Sequence, residues 1–159
     1  MQLGLNKILQ AIYEQDFLNM SYGFRPRRSC HEALKALNRS IEYGRTSYIV
    51  DVDISSFFTN VNHEWLMEFL GVRVTDPNIL RLIRRFLKAG VMEQGTWEPT
   101  ESGTPQGSII SPILANLYLH YALDLWFEVV VKKACRGDAS MIRYADDYAR
   151  CFQYKDDAE

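Results

Sequence analysis

Residues 141–144 (MIRY) and 148–154 (YARCFQY) read as two β-strands with Ala145-Asp146-Asp147 between them. Adjacent carboxylates at the tip of a tight turn repel, and each opposes ionisation of its neighbour unless a cation holds them. A second acidic position stands at the end of another β-branched run, residues 47–53 (SYIVDVD), which finishes on Asp53. Alone, an Asp-Asp turn is ordinary solvated surface, and so is an aspartate closing a strand. If the hairpin packs beside the 47–53 strand, Asp53, Asp146 and Asp147 converge. Mg²⁺ favours such a site, taking a few carboxylates together with substrate phosphate oxygens. Two ions held this way serve an in-line phosphoryl displacement. Asp51 competes with Asp53 within the strand.

The rest of the chain reads as helices and short strands. Leu3, Leu5, Ile8, Leu9, Ile12 and Phe17 recur at helical spacing. Residues 21–28 (SYGFRPRR) contain glycine and proline and form a loop. Ser29 and Glu32 make a capping box for a helix that runs to Tyr43 and stops at Gly44. Asn62 caps a short helix to Leu70, and Asp76-Pro77 opens another that Gly90 closes. Residues 91–100 suggest a hairpin around Gly95, residues 103–107 a loop, and Ser111-Pro112 the start of a long buried helix toward Lys133. The result is one α+β domain without repeats or linkers.

Composition sets limits on function. In 159 residues, 47% are hydrophobic and 24% charged, which suits a packed globular core rather than a disordered chain. The net charge of -2 does not advertise a nucleic-acid binder, so basic surface has to be local. Two clusters qualify: Arg25, Arg27 and Arg28 in the loop, and Arg81, Arg84, Arg85 and Lys88 along a helix. Three scattered cysteines form no metal-ligand pattern and suit a reduced intracellular protein. Neither a signal peptide nor a membrane span is evident. His31 and His63 lie beside helix starts, and His120 falls in the apolar helix; none is assigned a catalytic role.

Four blocks in order resemble the reverse transcriptases encoded by group II introns. They are SYGFRPRRSC (21–30), Asp53 followed by Ser-Ser-Phe-Phe, GTPQGSIISPILAN (103–116) and YADD (144–147). The resemblance implies a right-hand polymerase of fingers and palm, its antiparallel palm sheet carrying the YADD hairpin packed on helices. Residues 1–46 and roughly 71–104 would be fingers-like and connecting parts, and 47–70 and 105–159 palm. Asp53, Asp146 and Asp147 would hold two Mg²⁺ ions, the family spacing favouring Asp53 over Asp51. Arg25, with Arg27 or Arg28, would grip the triphosphate, since guanidinium forks match phosphate oxygens. Phe57, or alternatively Phe58, would be the plate beneath the incoming sugar. Gln106 and Gly107 would lie near the nucleotide, and Arg28, Arg81, Arg84, Arg85 and Lys88 would touch RNA backbone weakly.

The implied activity is RNA-directed DNA synthesis on an RNA template from a DNA primer and dNTPs, in a mobile element whose protein also binds intron RNA as a maturase. The family's thumb and an earlier fingers segment find no counterpart in these 159 residues. The chain alone is therefore expected to be a weak or inactive polymerase, and its open palm edge to favour self-association. The alternatives are a non-catalytic RNA-binding maturase remnant and a domesticated reverse transcriptase.

Overall fold

The structure is a computed structural model that describes residues 1–88, 91–93, 96–98, 103–104 and 108–159. In chain order the elements are α1 (Gln2–Tyr13), α2 (Cys30–Glu42), β1 (Tyr48–Asp53), α3 (Phe57–Asn60), α4 (His63–Gly71), α5 (Pro77–Leu87), β2 (Val91–Glu93), β3 (Thr96–Glu98) and α6 (Ser111–Leu119). Two π-helical turns come next at His120–Asp124 and Phe127–Val131, then α7 (Lys132–Ala134), β4 (Ala139–Tyr144), β5 (Asp147–Phe152) and α8 (Lys155–Ala158). Among the described residues no helix is long and apolar enough to cross a membrane. The chain divides into two compact units, Met1–Asp16 with Ser55–Tyr118, and Phe17–Ile54 with Leu119–Glu159.

The first unit is mostly helical, with the short β2–β3 pair. In α1 the buried residues are Leu5, Leu9 and Tyr13, one stripe at spacing four. The Tyr13 hydroxyl donates to the Leu70 carbonyl at 2.9 Å, so the buried ring has a partner for its polar end. The expected caps form: Asn62 Oδ1 accepts from the amides of Glu64 and Trp65, and Asp76 Oδ1 from Asn78 and Ile79. Pro77 takes the first helical position of α5, where its missing N–H costs nothing. β2 and β3 pair antiparallel as expected, Glu93 opposite Thr96, while the turn at Gly95 lies outside the described residues.

The second unit holds the sheet, in the order β1-β5-β4 with both pairs antiparallel. Period-two alternation puts Val50, Tyr148, Phe152 and Met141 on one face. That face packs on Phe127, Leu123 and Val131 of the π-helical region. The opposite face presents Asp51, Asp53 and Asp147, all exposed. Ser40 of α2 hydrogen-bonds Ser140 of β4 at 3.1 Å, and Ser29 caps α2 by accepting from the Glu32 amide.

The long helix expected from Ser111 to Lys133 is present but not uniformly α. Each π-helical turn is wider than an α turn and shifts the buried face of the residues after it. His120, Asp124 and Phe127 all end up buried as a result. The first helix also ends earlier than its pattern suggests. Phe17 keeps helical spacing from Tyr13, yet it belongs to the second unit, with its ring 5.6 Å from that of His120.

Candidate active site

In the register of the sheet, Asp53 stands directly opposite Asp147, and Asp51 opposite Ala149. Tyr144 faces Asp147 across β4 and β5, leaving Ala145 and Asp146 as a two-residue loop. Of these two only Ala145 has a positive φ, 59°, the sign pattern of a type II′ turn, which favours glycine at that position. An alanine in left-handed backbone is a strain of about 1–3 kcal/mol and persists only when the surroundings over-determine it.

Those surroundings come from the 20–25 loop and from Arg143. Met20 and Tyr22 exchange backbone hydrogen bonds with Arg143 at 2.8 and 2.9 Å. Gly23 lies directly against the turn: a Cβ there would fall 2.4 Å from the Ala145 nitrogen. Arg143 Nη1 donates to the Ala145 carbonyl at 2.9 Å. The same guanidinium forks onto Asp124, Nε to Oδ1 at 2.7 Å and Nη2 to Oδ2 at 2.6 Å, both side chains fully buried. Sequence reading missed Arg143, Asp124, Ser21 and Gly23. The available signal was a charged residue at an inward position on each partner, one in the strand and one in the apolar helix.

The carboxylates share one electrostatic neighbourhood. The Asp147 carboxyl is pushed above its ordinary value, first by partial desolvation beside its neighbours and then by the charges of Asp146, Asp53 and Asp51. Among the described residues, no group of three or more histidine, cysteine or carboxylate side chains is arranged to hold a metal ion. The donor set nonetheless fits Mg²⁺: it is all oxygen, partly exposed, and carries a repulsion that a dication relieves. Mg²⁺ is also bound through one or two carboxylates plus water and phosphate rather than by an all-protein cage.

A carboxyl raised on folding holds its proton more tightly in the folded chain than in the unfolded one. Its favourable contribution is complete below the ordinary value of 3.8 and is lost as pH rises through the folded value, leaving a net cost at neutral pH. Asp147→Asn is therefore expected to raise the thermal midpoint at pH 7 in EDTA by about 2 °C, the charge being exposed and screened. The gain should vanish below about pH 4. Calorimetry at the two pH values checks this; a destabilised Asn variant at pH 7 contradicts it.

The other predicted residues are placed as follows. Arg25 is buried, donating to the carbonyls of Leu18 at 2.7 Å, Ser21 at 2.8 Å and Phe17 at 3.5 Å, with its guanidinium over the Phe17 ring. Those bonds tie its guanidinium to its own loop. Arg28 lies over the Tyr22 ring and bonds Asn19, while Arg27 is exposed. With Lys35 and Arg39 they line a basic groove of about 550 Å³ that contains one acid, Glu32.

In the first unit Phe57 is buried at 5% exposure, edge-on to Phe58 and Tyr118, whereas Phe58 is half-buried. Gly103, at φ 86°, donates to the Val61 carbonyl, and its own carbonyl meets His63 Nε2. Gln106 and Gly107 lie outside the described residues. Arg81, Arg84 and Arg85 are exposed on α5, and Lys88 is exposed at its C-terminal cap.

The architecture has known counterparts. A solved structure of telomerase from Candida albicans matches at a TM-score of 0.70 with 13% identity, covering 97% of this chain and 31% of the telomerase chain. That likeness establishes the fold class, a mixed α+β domain with a three-stranded antiparallel sheet. The family model "Reverse transcriptase (RNA-dependent DNA polymerase)" matches residues 3–159, and the chain belongs to that family.

Among curated relatives, the group II intron-encoded protein LtrA of Lactococcus lactis subsp. cremoris is 45% identical over 119 residues, 75% of this chain and 20% of LtrA. An uncharacterized 91 kDa protein in the cob intron of Schizosaccharomyces pombe is 43% identical over 124 residues, 78% of this chain and 15% of that protein. The chain thus spans a fifth or less of the length of these two relatives.

Proposed function

We propose that the chain is the catalytic core of a group II intron-type RNA-directed DNA polymerase, with residues 1–46 and about 71–104 serving as fingers and 47–70 and 105–159 as palm. The observation that carries this is the cross-strand pair Asp53 and Asp147 at the YADD turn, on an exposed sheet face. Asp53, Asp146 and Asp147 would hold two Mg²⁺ ions, which supply charge stabilisation at the attacking oxygen and at the leaving pyrophosphate.

The reaction joins the primer 3′-oxygen to the α-phosphorus of a dNTP and breaks the bond to pyrophosphate. The chain's own part is to fix the carboxylates and to accept nucleic acid in an orientation set by template pairing. Arg27 and Arg28, in the basic groove, are assigned the phosphate contacts in preference to Arg25, whose guanidinium is taken up by its own loop. Phe58 is assigned the sugar-sensing role ahead of the buried Phe57. Gln106 and Gly107 keep the nucleotide role that the family implies, and the α5 basic residues a weak backbone contact. Intron RNA and an intracellular setting, bacterial or organellar, belong to the same reading.

Primer extension with dNTPs and Mg²⁺ on an RNA template tests it. Weak extension that Asp146→Ala/Asp147→Ala abolishes is the expected result. A second arm grafts the segment into a full-length intron-encoded relative in place of the matching residues. Silence in both arms would favour a non-catalytic RNA-binding maturase remnant.

A further inference from the structure

Arg143 occupies an unusual position for a charged residue. It lies on the same face of β4 as Met141, fully buried, at a place where a strand normally supplies an apolar side chain. Its partner Asp124 is equally buried in the first π-helical turn. Such a pair is a poor way to gain stability, because the desolvation of both charges offsets their attraction, and apolar replacements often do as well. The geometry of the remaining donors gives it another use. With Nε and one Nη2 proton on Asp124, Nη2 also meets Ser21 Oγ at 2.9 Å, and Nη1 meets the Ala145 carbonyl at 2.9 Å. That carbonyl belongs to the peptide leading into Asp146. The planar fork thus ties helix, loop and turn together in one plane, at the residue whose left-handed backbone has to be held.

We infer that Arg143, oriented by Asp124 and Ser21, is the positioning residue of the carboxylate turn: it fixes the Ala145–Asp146 peptide so that Asp146 and Asp147 present their oxygens to a divalent cation. The inference rests on the polymerase reading for its consequence, cation binding, and on the hydrogen-bond geometry for its cause. Outer partners that orient metal ligands typically alter metal affinity about 10- to 100-fold when removed.

The experiment uses the full chain and two readouts, the dissociation constant of Mn²⁺ by electron paramagnetic resonance and amide hydrogen exchange across residues 144–147. Arg143→Met/Asp124→Leu replaces the ion pair with apolar side chains and is expected to keep its thermal midpoint close to that of the wild type. Its turn amides should nonetheless exchange faster, and its Mn²⁺ dissociation constant should rise about tenfold or more. A merely structural pair would let this double variant recover stability and Mn²⁺ binding together.

Arg143→Lys keeps the charge but loses the fork, and should weaken Mn²⁺ binding while the chain stays folded. If the double variant does not fold, the lysine variant and Ser21→Ala carry the comparison. Wild-type turn exchange and wild-type Mn²⁺ affinity in a folded variant overturn the proposal. Asp146→Ala/Asp147→Ala separates the two readings. If the wild type binds Mn²⁺ no better than that control, the polymerase reading fails, while turn exchange still reports on Arg143 by itself.

Discussion

Asp53→Asn is expected to reduce primer extension about 10²- to 10³-fold, the scale of removing one group that stabilises developing charge, whereas Asp51→Asn should leave most of it. Both residues lie in β1, both are exposed, and both point to the same face of the sheet. Composition and charge do not separate them. Register does. Asp53 is directly opposite Asp147, so its carboxylate belongs to the group at the turn, while Asp51 is opposite Ala149. Two residues along a strand is a displacement of about 6.6 Å, so Asp51 stands two register positions further from the Asp146–Asp147 turn than Asp53 does. Asp51 still contributes to the field, since it is the last of the charges that raise Asp147. Its removal is expected to alter the Mg²⁺ concentration needed rather than the maximal rate. Extension measured across a Mg²⁺ titration, with circular dichroism to verify folding, decides the matter. Equal losses of maximal rate in the two variants would remove the register argument.

Much of this arrangement was legible in the residues because its causes are local. Ser29, Asn62 and Asp76 cap their helices for reasons that lie within three residues of each. The three strands carry β-branched and aromatic residues, and the acidic turn is marked by its own repulsion. The features that escaped sequence reading depend on distant partners. Asp124 is visible in the chain as an interruption of an apolar helix, and Arg143 as a charge within a strand. Their pairing across 19 positions requires the helix to lie on the sheet with two π-helical turns setting its face. Arg25 was expected to grip a triphosphate because residues 21–30 resemble the family's fingers block. Its side chain turns back onto carbonyls four, seven and eight residues away, a choice made by the fold of the loop. Phe57 and Phe58 are adjacent and alike in sequence, and only burial distinguishes them.

Gly23→Ala tests whether the loop before α2 is part of the catalytic apparatus. A Cβ at this position would lie 2.4 Å from the Ala145 nitrogen and 3.1 Å from both Ala145 Cα and the Tyr144 carbonyl carbon. These are backbone atoms, so no side-chain rotation relieves the overlap. Neither side is free to move: the loop is bonded to Arg143 through Met20 and Tyr22, and the turn is held by the Arg143 guanidinium. Overpacking of this kind costs about 1–3 kcal/mol, which should show as a lower urea midpoint. The larger effect is expected on chemistry. Displacing the turn moves Asp146 and Asp147 together, and a shift of about 1 Å in reacting groups costs on the order of 10²-fold in rate. Gly4→Ala is the matched control, because nothing lies within 4 Å of a Cβ there and α1 gains a better helix former. A Gly23→Ala chain as stable and as active as wild type would mean that loop and turn separate more easily than their shared hydrogen bonds imply. A chain that folds but loses extension would place residues 20–25 among the parts that hold the carboxylates in register.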